Sequence, residues 1–309
     1  MAWHAVTGTR PERQEEFYRG TAYDDLSMRF ADYLRSEIPA GTLRKFSGRY
    51  DVIGDIAIVT LSPALRSYDQ VIAAAIIRHQ HGIRTVVRKS ANVTGTYRTV
   101  YYEIITGKST ETTHHENGFS YYLDLNTSFF NPRLSYERGR ITRQVQTGER
   151  ILVPFAGVGP FVIPAAARGA QVTAIEQNPE ACRWLNRNIR DNRVSGQVTV
   201  IQGDAFDPHD LPGGSFERVI IPAPYNRDEI LEVMAGLVRR DGIIHFYTFK
   251  NRAQAGMLEQ EFKKTGYSVI SRRRCGNVAP SVSRWVFDLR YRKPAGIGSP
   301  GDQNSLNTS

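Results

Sequence analysis

Gly157, Gly159, Glu176 and Asp204 are the residues of this chain whose types and spacing most plainly suggest chemistry. The two glycines lie in Ile151-Leu-Val-Pro-Phe-Ala-Gly-Val-Gly-Pro-Phe161, an apolar run that ends in a tight turn. Glycine lets a backbone turn sharply and approach a ligand with no side chain in the way. Glu176 closes a second apolar run about one strand–helix–strand step later, where a carboxylate can accept both hydroxyls of a ribose. Asp204, in Ile201-Gln-Gly-Asp-Ala-Phe206, closes a third run and can accept from an adenine amino group. Pro222-Ala-Pro-Tyr225 closes a fourth. Ligands of open α/β sheets bind outside the carboxyl ends of the strands, so four successive strand ends of this composition describe a ligand crevice. The plainer reading of the two acids is that they cap the helices that follow.

The turn is Gly-x-Gly without a third glycine; Phe161 and Val162 follow instead. A pyrophosphate needs the full glycine set and a free helix N-terminus, whereas a nucleoside ligand without phosphates does not. S-adenosylmethionine is the common ligand of that second kind, and it is the cofactor expected here.

These residues require a doubly wound frame. Strands are expected at 150–154, 171–176, 197–201, 217–222, 242–248, 266–272 and 283–291, with helices near 160–168, 179–193, 226–239 and 252–264. The last strand, Arg284-Trp-Val-Phe-Asp-Leu-Arg-Tyr291, alternates and suits an antiparallel edge. Upstream, residues 46–130 read as a small α+β unit. It holds short strands around Gly54, a helix over 68–81, further strands, and an Asn117-Gly118 hairpin turn. Residues 1–45 read as a polar extension with an amphipathic helix over 24–38, and residues 293–309 as a disordered tail. The expected fold class is thus α/β: a Rossmann-like class I methyltransferase sheet over 131–292 behind a small α+β domain.

Composition narrows the partners. The 309 residues carry a formal charge of +9, which favours a polyanion such as nucleic acid. No apolar run approaches a membrane span, no apolar leader opens the chain, and two cysteines make no disulfide framework, so a cytoplasmic chain is expected. Cys182 falls in a helical pattern and reads as a buried, inert thiol. In Asn131-Pro-Arg-Leu-Ser-Tyr-Glu-Arg138 the charges read, taken alone, as a solvated helix face.

Taken together, Pro132-Arg-Leu-x-x-Glu-Arg138, Phe155-Ala-Gly-Val-Gly-Pro-Phe161, Asn178-Pro179 and Asn186-Arg-Asn188 resemble the archaeal and eukaryotic tRNA methyltransferases that modify N1 of guanine 37. Arg98, Glu103 and Glu116-Asn-Gly118 resemble that family's middle domain, and Gly276-Asn-Val-Ala-Pro280 its last strand pair. A sister family with the same fold and cofactor transfers the aminocarboxypropyl group in wybutosine synthesis. The resemblance implies Glu137 as the base that takes the N1 proton and Arg98 as the donor to O6. It implies cofactor contacts at Phe155, Gly157, Gly159, Glu176, Gln177, Asp204, Ala205 and Pro222. It implies RNA contacts at Arg133, Arg138, Tyr225 and Lys89, with Tyr225 able to stack on the base. The implied partner is a tRNA anticodon stem-loop, bound by a monomer. Two features differ from the methyltransferase pattern: Pro222-Ala-Pro224 replaces the usual Asn-Leu-Pro, and the first 45 residues are too short for the elbow-gripping domain of full-length relatives.

Overall fold

The computed structural model describes residues 30–94 and 99–292. The tail after residue 292, the first part of the 24–38 helix and Arg98 lie outside the described residues.

Four strands form the first sheet. After helices α1 (Phe30–Glu37) and α2 (Ala40–Leu43) come β1 (Tyr50–Ile53) and β2 (Ile56–Val59). Helix α3 (Asp69–His79) then crosses to β3 (Thr85–Thr94), and β4 (Thr99–Thr106) follows. The order is β1-β2-β3-β4, with β2 and β3 parallel across the α3 crossover. Ile72, Ala73, Ala75 and Ile76 recur at helical spacing and bury α3 on the sheet. Leu34 and Ile38 enter the same core. The chain from residue 30 therefore packs within this unit instead of standing apart as an extension.

A hairpin of β5 (Glu111–Glu116) and β6 (Phe119–Asp124) links the two halves. Asn117 (φ 52°) and Gly118 (φ 86°) supply the two left-handed residues that a tight hairpin needs. The sequence groups this hairpin with the small unit. In the structure it is a separate two-stranded sheet, and Tyr121 and Leu123 are buried in a core that joins residues of the large unit with Ile53, Ile56, Ile58 and Val87 of the small one.

The large unit runs α4 (Ser135–Thr142), β7 (Arg150–Pro154), α5 (Val162–Ala167), β8 (Gln171–Glu176), α6 (Pro179–Asp191), β9 (Val198–Gln202), β10 (Phe216–Ile221), α7 (Ile230–Ala235), β11 (Val238–Lys250), α8 (Arg252–Lys264), β12 (Tyr267–Ala279) and β13 (Val282–Tyr291). Its seven strands order as β12-β13-β11-β10-β7-β8-β9. Strands β7 to β11 are parallel, and β13 is antiparallel to both neighbours. The order reverses at β7, the place where such sheets open a crevice.

Two expectations are corrected. Strand β13 is interior, and β12 holds the edge. Its alternation looked like a half-solvated strand because Arg284 and Asp288 are polar residues turned to a buried face. The helix expected over 226–239 is only Ile230–Ala235, because Asn226 takes a left-handed φ of 58° and a turn precedes the helix.

The hairpin is fastened to the large unit by side-chain amides acting as a strand. Asn188 on α6 accepts from the Tyr122 N–H at 2.8 Å and donates to the Tyr122 carbonyl at 3.0 Å. Asn192, one helical turn on, does the same to Ser120 at 3.0 and 2.7 Å. Four residues of helix advance about 6 Å and two residues of strand about 6.7 Å, so the two periods match. Asn188 also donates to the Val158 carbonyl at 3.0 Å, inside the glycine turn. Replacing Asn188 by Ala leaves three buried backbone groups unpaired. The expected loss is at least about 2 kcal/mol in urea unfolding. A loss below about 0.5 kcal/mol would mean that water replaces the amide.

Candidate active site

The crevice at the carboxyl ends of β7, β8 and β9 is built around Glu176. Its Oε2 accepts from the Gly157 N–H at 2.7 Å and its Oε1 from the Asn178 N–H at 2.9 Å. Burial pushes this carboxyl above the ordinary range, and the amides only partly offset it. Glu176 is therefore not a helix cap; that task falls to Asn178, whose side chain accepts from the Glu180 N–H at 3.0 Å. The Asn178 amide also donates to the Thr127 carbonyl at 2.6 Å, tying the crevice to the linker before α4.

The two glycines do different work. A Cβ on Gly157 would meet only the Phe129 carbonyl at 3.7 Å, but its φ of 55° favours glycine. A Cβ on Gly159 would sit 2.7 Å from Leu185 Cδ1 and 3.1 Å from Ile163 Cδ1, at a φ of 95°. Gly157 thus leaves space beside Glu176, whereas Gly159 lets α5 and α6 close on the turn. Phe155 is held at a φ of 55°, an uncommon state for a bulky residue and one that clusters at functional sites. Its half-buried ring lies 6.0 Å from that of Phe206.

Asp204 ends β9 nearby. Its Oδ1 accepts from the Phe206 N–H at 3.0 Å, and the exposed Gln177 donates to its Oδ2 at 3.3 Å. Ala205 is buried and Pro222 is half-buried. Tyr225 is 49% exposed, with its ring 5.4 Å from Phe249.

Glu137 stands on α4 facing the same edge of the sheet. Arg140 donates to its Oε1 at 2.8 and 2.6 Å, and the Tyr247 hydroxyl donates to the same oxygen at 3.2 Å. Tyr247 in turn lies 5.5 Å from the Phe161 ring that closes the glycine turn. Among the described residues no hydrogen bond reaches Oε2. The local sequence alone reads this acid as part of a solvated face; Glu137 is instead only 4% exposed.

Behind Glu137 runs a buried polar chain that sequence reasoning missed. Arg140 also donates to Asp288 at 2.6 and 2.9 Å. Asp288 further accepts from His245 Nδ1 at 2.6 Å and Ser271 at 2.7 Å. His245 Nε2 faces an Arg218 nitrogen at 2.6 Å, so the guanidinium fixes it as acceptor and Nδ1 as donor. Arg218 continues to Glu149 at 2.9 Å. Burial lowers the His245 pKa, keeping the ring neutral. Burial raises the Asp288 carboxyl, but its donors outweigh that and hold it well below the usual range. These partners meet only because β11 and β13 pair His245 with Asp288.

The residues that the resemblance implies as RNA contacts divide. Arg133 is exposed but forked onto Asp51 at 2.8 and 3.0 Å. Lys89 is exposed on β3. Arg138, implied as an RNA contact, is corrected: it is 2% exposed and clamps Glu116 of the hairpin through both of its oxygens. Burial raises the Glu116 carboxyl, but Arg138 and His114 outweigh it and the net shift is downward.

This sheet order, with its glycine turn and acidic strand ends, defines a class I methyltransferase-like unit. Comparison with known proteins is more specific. Residues 112–270 match the TRM5/TYW2 methyltransferase domain, and residues 30–110 match the TYW2 N-terminal domain. The chain belongs to the TRM5/TYW2 methyltransferase family. It is 34% identical over 213 residues to tRNA (guanine(37)-N(1))-methyltransferase Trm5b of Pyrococcus abyssi, covering 69% of this chain but only 63% of that protein. It is 29% identical over 277 residues to the tRNA(Phe) (4-demethylwyosine(37)-C(7)) aminocarboxypropyltransferase of Pyrococcus horikoshii, covering 87% and 98% of the two chains. Among solved structures, Pyrococcus horikoshii TYW2 in complex with MeSAdo superposes with a TM-score of 0.70 at 27% identity, covering 86% of this chain and 98% of that one.

Asp288→Asn removes a charge that four donors share. The expected loss is about 3 kcal/mol in chemical unfolding at neutral pH, because Arg140 and His245 lose their buried partner. A carboxyl depressed in the folded state contributes stability above its unfolded pKa, near 3.9, that is lost as pH falls through the folded value. Wild type should therefore show a component of acid destabilisation below about pH 4 that the variant lacks.

Proposed function

We propose that the chain is an S-adenosylmethionine-dependent transferase that methylates N1 of guanine 37 in tRNA. The observation that carries this reading is Glu137. Its Oε1 is saturated by Arg140 and Tyr247 at the mouth of the crevice, while its Oε2 has no bond among the described residues. N1 of guanine carries a proton, and its lone pair becomes available only when that proton leaves. A fixed carboxylate with one open oxygen can take it.

The crevice fits the cofactor. Glu176, fixed by two amides, presents acceptors for a ribose beside the space that Gly157 leaves open. Gln177, Asp204, Ala205 and Phe206 line the next strand end, where an adenine amino group can donate to Asp204. Phe155 and Pro222 flank the opening. The relative named for methyl transfer, matched over 63% of its length, and the MeSAdo complex of a neighbour support the same choice. The cofactor, when bound, supplies an electrophilic carbon beside a sulfonium. This chain's own part is to hold the nucleoside, exclude water with Phe161 and Tyr247, and accept the N1 proton at Glu137. Arg133 and Lys89, both exposed, are assigned to RNA phosphates, and Tyr225 to stacking. Arg98 keeps its assignment to O6. The domain division proposed is a small unit from residue 30 to about 110, the hairpin, and the catalytic unit to 292.

A second reading, aminocarboxypropyl transfer, is favoured by the TYW2-type N-terminal match and by the near-complete coverage of the Pyrococcus horikoshii transferase. Incubation of unmodified tRNA with S-adenosylmethionine labelled separately on the methyl and carboxypropyl carbons distinguishes the two. Methyl label in RNA supports the proposal; carboxypropyl label overturns it in favour of the second reading.

Glu137→Gln should lower single-turnover transfer at least about 100-fold and leave cofactor affinity within about twofold. An unchanged rate would remove Glu137 from the role of base. Cofactor affinity should also report Glu176. The ribose hydroxyls need the ionised carboxylate, whose pKa is raised, so affinity should fall on acidification from above the ordinary carboxylate range. Calorimetry across pH should show that fall in wild type and a flat, weaker profile in Glu176→Gln.

A further inference from the structure

Tyr136 and Arg273 form an exposed aromatic–cation pair that no step of the transfer described above uses. Tyr136 is 66% exposed, and Arg273 Cζ lies 5.7 Å from the centre of its ring. Among the described residues no ion pair involves Arg273, whereas its neighbour Arg272 is tied to Glu259 at 2.8 Å and lies over the Trp285 ring. The donors of Arg273 are therefore open to a ligand. A single aromatic at a surface needs no explanation by itself. The placement of this one does.

Arg273 pairs with Val286 across β12 and β13, and Val286 pairs with Tyr247 across β13 and β11. The three residues form one row, which ends at the tyrosine bonded to Glu137. The row lies under α4. Ser271, two residues before Arg273, donates to Asp288, and Asp288 accepts from Arg140 of α4. Tyr136 precedes Arg140 by four residues, so it stands on the same stripe of the helix, above the edge strand β12. Glu137 follows Tyr136 with its side chain turned by about 100° around the helix, into the interior. Arg273 and Tyr247 are two strand spacings apart, about 10 Å. The pair thus flanks the buried carboxylate on its solvent side.

We infer that Tyr136 and Arg273 hold the nucleotide next to the modified one, with the ring stacked on its base and the guanidinium on its phosphate. The inference rests on the transfer reading above. A base that brings its Watson–Crick edge to a buried carboxylate must leave the stack of its loop, and its neighbour loses a stacking partner with it. A ring face replaces that partner without reading the base, and an arginine beside it neutralises the backbone where it bends. Binding at this pair therefore offsets part of the cost of extruding the target. A base inside a regular duplex has both faces covered, so the site selects an unpaired nucleotide.

The test measures binding of an anticodon stem-loop RNA to the full chain and to Tyr136→Ala, Tyr136→Phe and Arg273→Gln. The RNA is used intact and with the base removed on the 5′ or on the 3′ side of guanine 37. Tyr136→Ala should weaken binding of the intact RNA about 10-fold, while Tyr136→Phe, which keeps the ring, should stay within about twofold of wild type. Arg273→Gln should lower the salt slope of binding by about one. Removing one of the two flanking bases should weaken binding to wild type about 10-fold and make no further difference to Tyr136→Ala. Penalties that add in full at both flanking positions overturn the inference, because ring and base then do not meet. An unchanged affinity in Tyr136→Ala overturns it as well. If Tyr136→Ala does not fold, an Arg273→Gln salt slope equal to that of wild type is the overturning result. Wild type that binds the stem-loop and transfers nothing to guanine 37 fails the underlying reading alone, and wild type that does not bind the stem-loop fails both.

Discussion

Helix α4 is only eight residues long, yet three of its charges join the halves of the molecule. Arg138 turns inward to the hairpin and clamps Glu116. Arg140, two residues on, reaches Asp288 on the far strands and holds Glu137 on its own helix. A planar fork of five donors can meet two carboxylates at once with paired hydrogen bonds, whereas lysine would serve as a point charge. Burial sharpens this dependence. Each carboxylate is expensive to desolvate, so each arginine is needed to keep the helix in place. The orientation of Glu137 is thus a by-product of the same contacts that dock the helix.

The hairpin and the glycine turn are coupled by a different chemistry. Asn188 bonds both Tyr122 and Val158, so one neutral amide sets the distance between the hairpin and the cofactor crevice. Asn126 uses the same device on β4, accepting from the Tyr102 N–H at 2.7 Å. Such amides complete a strand edge without adding a strand, which suits places where helix and sheet meet and ordinary ladders cannot continue. The motif Asn186-Arg-Asn188 is therefore a structural fastener at its third position. Among the described residues, Asn186 itself bonds back to the Cys182 carbonyl at 3.0 Å along its own helix.

The large sheet was legible in the sequence because its strands are local apolar runs that end in glycine, acid or proline. Glu176 and Asp204 were found the same way, since a carboxylate at a strand end is a local signal. The network behind Glu137 was not legible. His245, Asp288 and Arg218 come from three strands, and only the β10–β11–β13 register brings them together. Strand β13 misled for the same reason. Its Arg284 and Asp288 imitate a solvated face, but Asp288 is held by Arg140 of α4, 148 residues earlier in the chain, and Arg284 lies over the Phe249 ring of β11. The hairpin was recognised from Asn117-Gly118, but its place between the units was not, because Tyr121 and Leu123 enter a core shared by both.

The same burial changes the meaning of the net charge. A formal +9 suggests a broad basic surface for RNA, but the arginines are not equivalent. Arg138, Arg140 and Arg218 are internal, and Arg88 is committed to Asp69 and Glu103. Apart from the exposed Glu103, the carboxylates they neutralise are largely internal too, so these pairs cancel and contribute little to the outer field. The positive charge that remains is spread over many exposed arginines and lysines, some of which stand near the crevice. Arg84 has a side chain 85% exposed, Lys89 is exposed on β3, and Arg273 lies 5.7 Å from the ring of Tyr136, itself 66% exposed beside Glu137. A cation set against an exposed ring suits a phosphate and an unstacked base together, which is the chemistry of a loop and not of a regular duplex. The Arg273–Tyr136 pair thus adds a site for local recognition near Glu137 to a surface that is basic more widely.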